Sequence, residues 1–159
     1  MNADEREEQS AEPTESRLGG VGGRSPLTVI VTRHLRAGFV GLFVFIVLGA
    51  ILETLHATKS PFFVDAGQET ARLLTRLAHA HGTLISLVNV VFALVVRARP
   101  AVATPASSSC LLASLVLIPL GFLVGGFFAH GGDPGLGIVL VPPGAICLAI
   151  AMAISARRA

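Results

Sequence analysis

Four apolar stretches, each near the length a helix needs to cross a bilayer, constrain this chain more than any other feature. A hydrocarbon core of about 30 Å takes roughly 20 helical residues at 1.5 Å apiece. Residues 37–56, 77–96, 109–129 and 136–155 reach that length, and Glu53 is the one Asp, Glu, Lys or Arg they contain. In lipid the backbone must satisfy its own hydrogen bonds, and these runs lack the period-2 alternation of an outer-membrane barrel, so helices are expected. The links carry turn chemistry: Lys59-Ser60-Pro61 and Asp65-Ala66-Gly67, then Pro100 and Pro105, then the run His130 to Gly135. Short links make successive helices antiparallel neighbours. The sequence therefore predicts an all-α integral membrane protein, an up-down four-transmembrane-helix bundle.

Composition agrees. Of the 159 residues 52% are hydrophobic and 14% charged, with a mean hydropathy of +0.72, against about 25% charged in a soluble domain. A water-soluble globule, a nucleic-acid binder and a disulfide scaffold are excluded. Asp4, Glu5, Glu7, Glu8, Glu12 and Glu15 gather at the start of the chain, in a stretch with almost no large apolar side chains. Residues 1–32 are therefore read as a disordered tail and 33–159 as the transmembrane domain. So acidic a start also argues against a secretory signal peptide. Arg24, Arg33, Arg36, Arg97, Arg99, Arg157 and Arg158 fall on one side of a four-span model. By the positive-inside rule both termini are cytoplasmic, in a multi-pass protein of the cell membrane, or the inner membrane if bacterial. Trp and Tyr are absent, so Phe62, Phe63, Phe127 and Phe128 would partly replace the usual interfacial aromatic belt.

Ionisable groups near a bilayer need a partner or a role. Glu53, His56, His79, His81, His130 and Asp133 all fall at or near the extracytoplasmic ends of the first three spans; His34, among arginines on the other side, reads as an interfacial side chain. Glu53 and His56 share a face at i, i+3. In the second span Thr75, Gly82, Ser86, Asn89 and Ala93 form a narrow stripe that His79 adjoins more closely than His81 does. Neutral imidazoles and a carboxylate suit a transition metal, and paired histidines suit a haem iron, so Glu53, His56, His79, His81 and His130 are the candidate ligands. No HExxH motif is present, and His79 and His81, two apart, point to nearly opposite helix faces. The simpler reading is that these groups bond to one another, to loop backbone or to water, with Arg72 or Arg76 pairing with Glu53.

The remaining residues read as packing. Gly121 and Gly125 form a close-approach motif, Pro119 should kink the third span, and Pro142-Pro143-Gly144 should interrupt the fourth. Ser86 and Asn89 could satisfy the carbonyls that this break frees. Cys110 and Cys147 lack CxxC spacing and read as core residues. The expected function is a small multi-pass membrane component or subunit, non-catalytic, stabilised by the Glu/His cluster. The alternatives are a metal- or haem-binding protein, a redox or metal-dependent enzyme, and a small transporter with a proton or ion relay. The implied partners are the lipid bilayer and either another membrane protein or a second copy of the chain, with no nucleic acid.

Overall fold

A computed structural model describes residues 25–159. Four long apolar helices form a bundle: α1 (Pro26–Ala57), α3 (Glu69–Ala98), α4 (Pro105–Phe127) and α5 (Val141–Ala156). A single turn, α2 (Pro61–Val64), lies in the first link, and a 3-10 segment (Leu136–Leu140) leads into α5. With that segment included, all four are long and apolar enough to span a membrane. Among the described residues there is no β-strand, only an isolated bridge between His130 and Asp133.

The helices start where local chemistry says they should. The Ser25 hydroxyl accepts the Thr28 N–H and Pro26 occupies the first turn, so α1 begins well before Ala37. Residues 26–32, read from the sequence as tail, are thus helical; residues 1–24 lie outside the described residues. At 1.5 Å per residue, roughly 45 Å of α1 and of α3 exceeds the hydrocarbon thickness, so each carries a polar turn beyond the bilayer. Thr104 and Ser107 form a reciprocal capping box at the start of α4, with Pro105 next in line. Pro142 and Pro143 do not break a helix. They stand in the first turn of α5, where their missing N–H groups have no intrahelical role, and the 3-10 segment ends just before them. Pro119 stays inside α4.

Packing follows chain order: α1 lies on α3, α3 on α4 and α4 on α5, with a smaller contact between α1 and α4. Helix–helix association in lipid depends on close van der Waals approach, which small residues permit. Gly38, Gly41 and Gly49 of α1 lie against Ser86, Val90 and the His79 ring of α3, and Gly82 of α3 receives the Phe45 ring. Gly121 and Gly125 of α4 meet residues 135–141, while Gly126 turns the other way, onto Ala71 and Thr75 of α3. The apolar core sits mainly between α3 and α4, around Ile85, Leu115 and Ile118 in one cluster and Phe92, Val96 and Leu111 in another. Phe39, Val40, Phe43, Val44, Ile46 and Val47 of α1 remain exposed, an apolar surface suited to lipid.

Candidate functional site

Polar side chains collect at two opposite ends of the bundle. At the loop end, Arg72 donates to the carbonyls of Phe62 and Asp65 (3.2 and 2.6 Å), pinning the first link over the start of α3. The Asp65 carboxylate accepts the Gly67 N–H, and the Thr70 hydroxyl donates to the Gly132 carbonyl at 2.8 Å, tying the α4–α5 turn to the same helix end. In that turn His130 and Asp133 exchange backbone hydrogen bonds around Gly131 and Gly132, both at positive φ (59° and 92°), a conformation that suits glycine. Arg72 is thus committed to backbone carbonyls and does not partner Glu53.

The histidines of this end occupy separate places. His79 fills the notch left by Gly49 and donates its Nδ1–H to the Phe45 carbonyl at 2.7 Å, across the α1–α3 contact. His81 faces α4, lies over Phe122 with ring centroids 5.0 Å apart, and donates Nδ1–H to the Leu77 carbonyl of its own helix. His56 is exposed and stacks on Phe63 at 5.2 Å. His130 is exposed and donates to the Phe128 carbonyl. Glu53 is exposed, beyond the edge of the α1 stripe that faces α3. Among the described residues no three His, Cys, Asp or Glu side chains come close enough to hold one metal ion. The two-residue step separates His79 from His81, while His56 is exposed on its Phe63 stack and His130 is exposed in the turn after α4.

The opposite end holds the largest fully buried polar side chain, and it is the residue taken for an interfacial side chain. His34 has no exposed surface. Its Nδ1 lies 2.7 Å from Asn89 Oδ1 of α3, and its Nε2 lies 2.8 Å from the Ser108 Oγ of α4. The Asn89 amide nitrogen donates to the Ile85 carbonyl at 2.8 Å, which fixes the amide's orientation and leaves Oδ1 as an acceptor. Nδ1 must therefore carry a proton, and in the neutral ring Nε2 accepts the Ser108 hydroxyl. The Phe92 ring meets the imidazole edge-on at 4.7 Å. One side chain so joins α1, α3 and α4, with each polar atom satisfied. A sequence signal existed: His34 lies one turn before Gly38, on the same α1 face as Gly41 and Phe45, a phase that points inward.

The packing residues also divide. Ser86 donates to the Gly82 carbonyl at 2.6 Å and Asn89 bonds within the His34 network, so neither serves the carbonyls near Pro142 and Pro143. Ser114 and Thr75 likewise donate to carbonyls of their own helices. Cys110 and Cys147 are free thiols.

The order Ser108–His34–Asn89 matches, in hydrogen-bond sequence, a nucleophile, a base and a group that orients the base. Ser108 is only 2% exposed, however, and the network is closed on itself inside the bundle. At the loop end the chemistry is open: His79, His81 and His130 each donate Nδ1–H to a carbonyl, which leaves Nε2 with a free lone pair. No protein-family model, no curated protein and no solved structure matches this chain.

Proposed function

We propose that this chain is a non-catalytic component of a membrane, a helical element that serves an assembly through its fold. The observation that supports this reading is the His34 network, in which the most buried polar groups bind one another across three helices and present no free atom to a substrate. Both termini would face the cytoplasm, following the arginine distribution. The test uses full-length protein purified without chelators and reconstituted in nanodiscs. Expected are no stoichiometric metal, no haem Soret band and no labelling of Ser108 by a serine-reactive fluorophosphonate. Any one of the three signals at stoichiometric level overturns the non-catalytic reading. Cysteines introduced at Ser60 and Ala103 should react with an impermeant maleimide from opposite sides of the membrane; reaction from one side overturns the topology.

A second reading has its own support. A backbone carbonyl bound at Nδ1 is the usual arrangement behind an imidazole that binds a metal or accepts a proton through Nε2. His79, His81 and His130 have it, and with Glu53 and His56 they would supply the ligands. Stoichiometric zinc, copper or iron in the same preparation, lost in His79→Ala, would favour this reading over the first.

A further inference from the structure

A groove of about 340 Å³ runs between α3 and α5, walled by Val88, Val91, Phe92, Val95, Met152 and Ala156. Its lining carries one polar side chain, near the end of α5. The Ser155 hydroxyl lies in the groove lining, is buried, and has no hydrogen-bond partner. A buried hydroxyl without a partner is unfavourable, so an acceptor beside it would be favourable.

The rim is basic. Arg99 donates to the main-chain carboxylate of Ala159, a residue that itself lines the groove. Arg157 and Arg158 stand between lining residues Ala156 and Ala159, and Arg97 lies just beyond Val95; all four arginines are exposed. Among the described residues no Asp or Glu side chain occurs within 70–132 or 134–159, and the main-chain carboxylate of Ala159 is engaged by Arg99. Arginine at a membrane interface keeps its head in the polar layer while its stem lies along apolar surface. An apolar slot that opens between two spans and ends among four guanidinium groups, of which only Arg99 has an anionic partner among the described residues, has the polarity profile of an acyl chain under an anionic headgroup.

We propose that the α3–α5 groove is a binding site for an anionic glycerophospholipid. One acyl chain lies along Val88, Val91, Val95 and Met152. An ester carbonyl accepts the Ser155 hydroxyl, and the phosphate meets Arg157 and Arg158, beside the Arg99–Ala159 pair. Phosphatidylglycerol and phosphatidylcholine with the same acyl chains differ in headgroup charge, so headgroup charge sets the selectivity between them.

The experiment is native mass spectrometry of the full chain, delipidated in detergent and titrated with dioleoyl phosphatidylglycerol or dioleoyl phosphatidylcholine. The expected result is one phosphatidylglycerol adduct per chain, at least fivefold favoured over phosphatidylcholine. The triple variant R99Q/R157Q/R158Q should abolish the preference. Ala156→Phe or Val91→Phe, each filling the groove from one wall, should weaken the adduct with the arginines intact. Arg33 and Arg36 lie at the same end but line a different cleft, with Val29 and Thr32. R33Q/R36Q should leave the adduct unchanged, which separates a built site from general attraction to a basic surface. Equal binding of the two lipids, an equal loss in R33Q/R36Q, indifference to both groove-filling variants, or a lipid-free dimer sealed by Ala156→Phe-sensitive contacts would each overturn the proposal.

Discussion

His34 and the four other histidines occupy opposite ends of one bundle, in opposite chemical circumstances. His34 has both ring nitrogens bonded to side chains of two other helices and no contact with solvent. His79, His81 and His130 each bind one backbone carbonyl through Nδ1 and leave Nε2 unengaged; His56 is held only by its stack on Phe63. The difference separates two uses of one side chain. A fully bonded imidazole in a helix interface holds neighbours in register, because removing it strands its partners. A half-bonded imidazole keeps a lone pair for other chemistry, and where it is exposed, as at His130, it contributes little to the fold.

Mutational stability measurements can break that contrast. The largest effect should come from His34→Ala, which removes two interhelical hydrogen bonds, strands Asn89 Oδ1 and the Ser108 hydroxyl, and opens a void. The expected loss is about 3 kcal/mol, read by reversible unfolding in mixed micelles with SDS. A loss below about 1 kcal/mol would remove the asymmetry between the two ends.

Gly137→Ala comes next. Its new Cβ would lie 2.5 Å from the Gly125 backbone nitrogen, which cannot turn aside, so about 2 kcal/mol is expected in the same assay. At Gly49 the obstructing atom is the His79 ring, also at 2.5 Å, and a ring can rotate. Gly49→Ala should therefore cost less while releasing His79 from the Phe45 carbonyl. The His79 imidazole resonances, read by NMR, report that release; an unmoved ring together with an equal stability loss would contradict the distinction.

Ser108→Ala should cost about 1 kcal/mol, since it removes one hydrogen bond and leaves Nε2 unpaired. Smallest of all are His56→Ala and His130→Ala, each expected within about 0.5 kcal/mol of the parent because their side chains are exposed. A loss above about 2 kcal/mol from either would place the loop-end histidines among the residues that hold the bundle together.

Helix number and type were legible because length and apolar run are local properties. The four spans agree with α1, α3, α4 and the segment from Leu136 through α5. Boundaries were less legible. Pro26 and Ser25 are good helix-start residues, but they follow a polar tail and precede the first apolar run, so the eye passes over them. Pro142 and Pro143 look like a break in a 20-residue window and prove to be the start of a helix, because a 3-10 segment supplies the residues ahead of them.

The polar residues were harder. Topology placed Glu53, His56, His79, His81 and His130 at one end of the bundle, and the same rule set His34 apart at the other. What topology does not carry is rotation about each helix axis. His79 turns to α1 and His81 to α4, and Glu53 falls outside the packed stripe; residues sharing a depth need not share a direction. His34 was passed over for the converse reason: in sequence it sits beside Arg33 and Arg36, and in space it is buried against Asn89, Ser108 and Phe92.

The sequence by itself determined that this chain forms four apolar helices joined by short turns, with arginines concentrated at one end, because these depend on composition along the chain. Only the tertiary structure decided which histidine is buried, which glycines receive a neighbour's side chain, and which two helices leave a groove between them. Those are set by the azimuth at which one helix meets the next. That angle emerges from the mutual fit of Gly38, Gly41, Gly49 and Gly82 with the side chains opposite them, and no single segment encodes it alone.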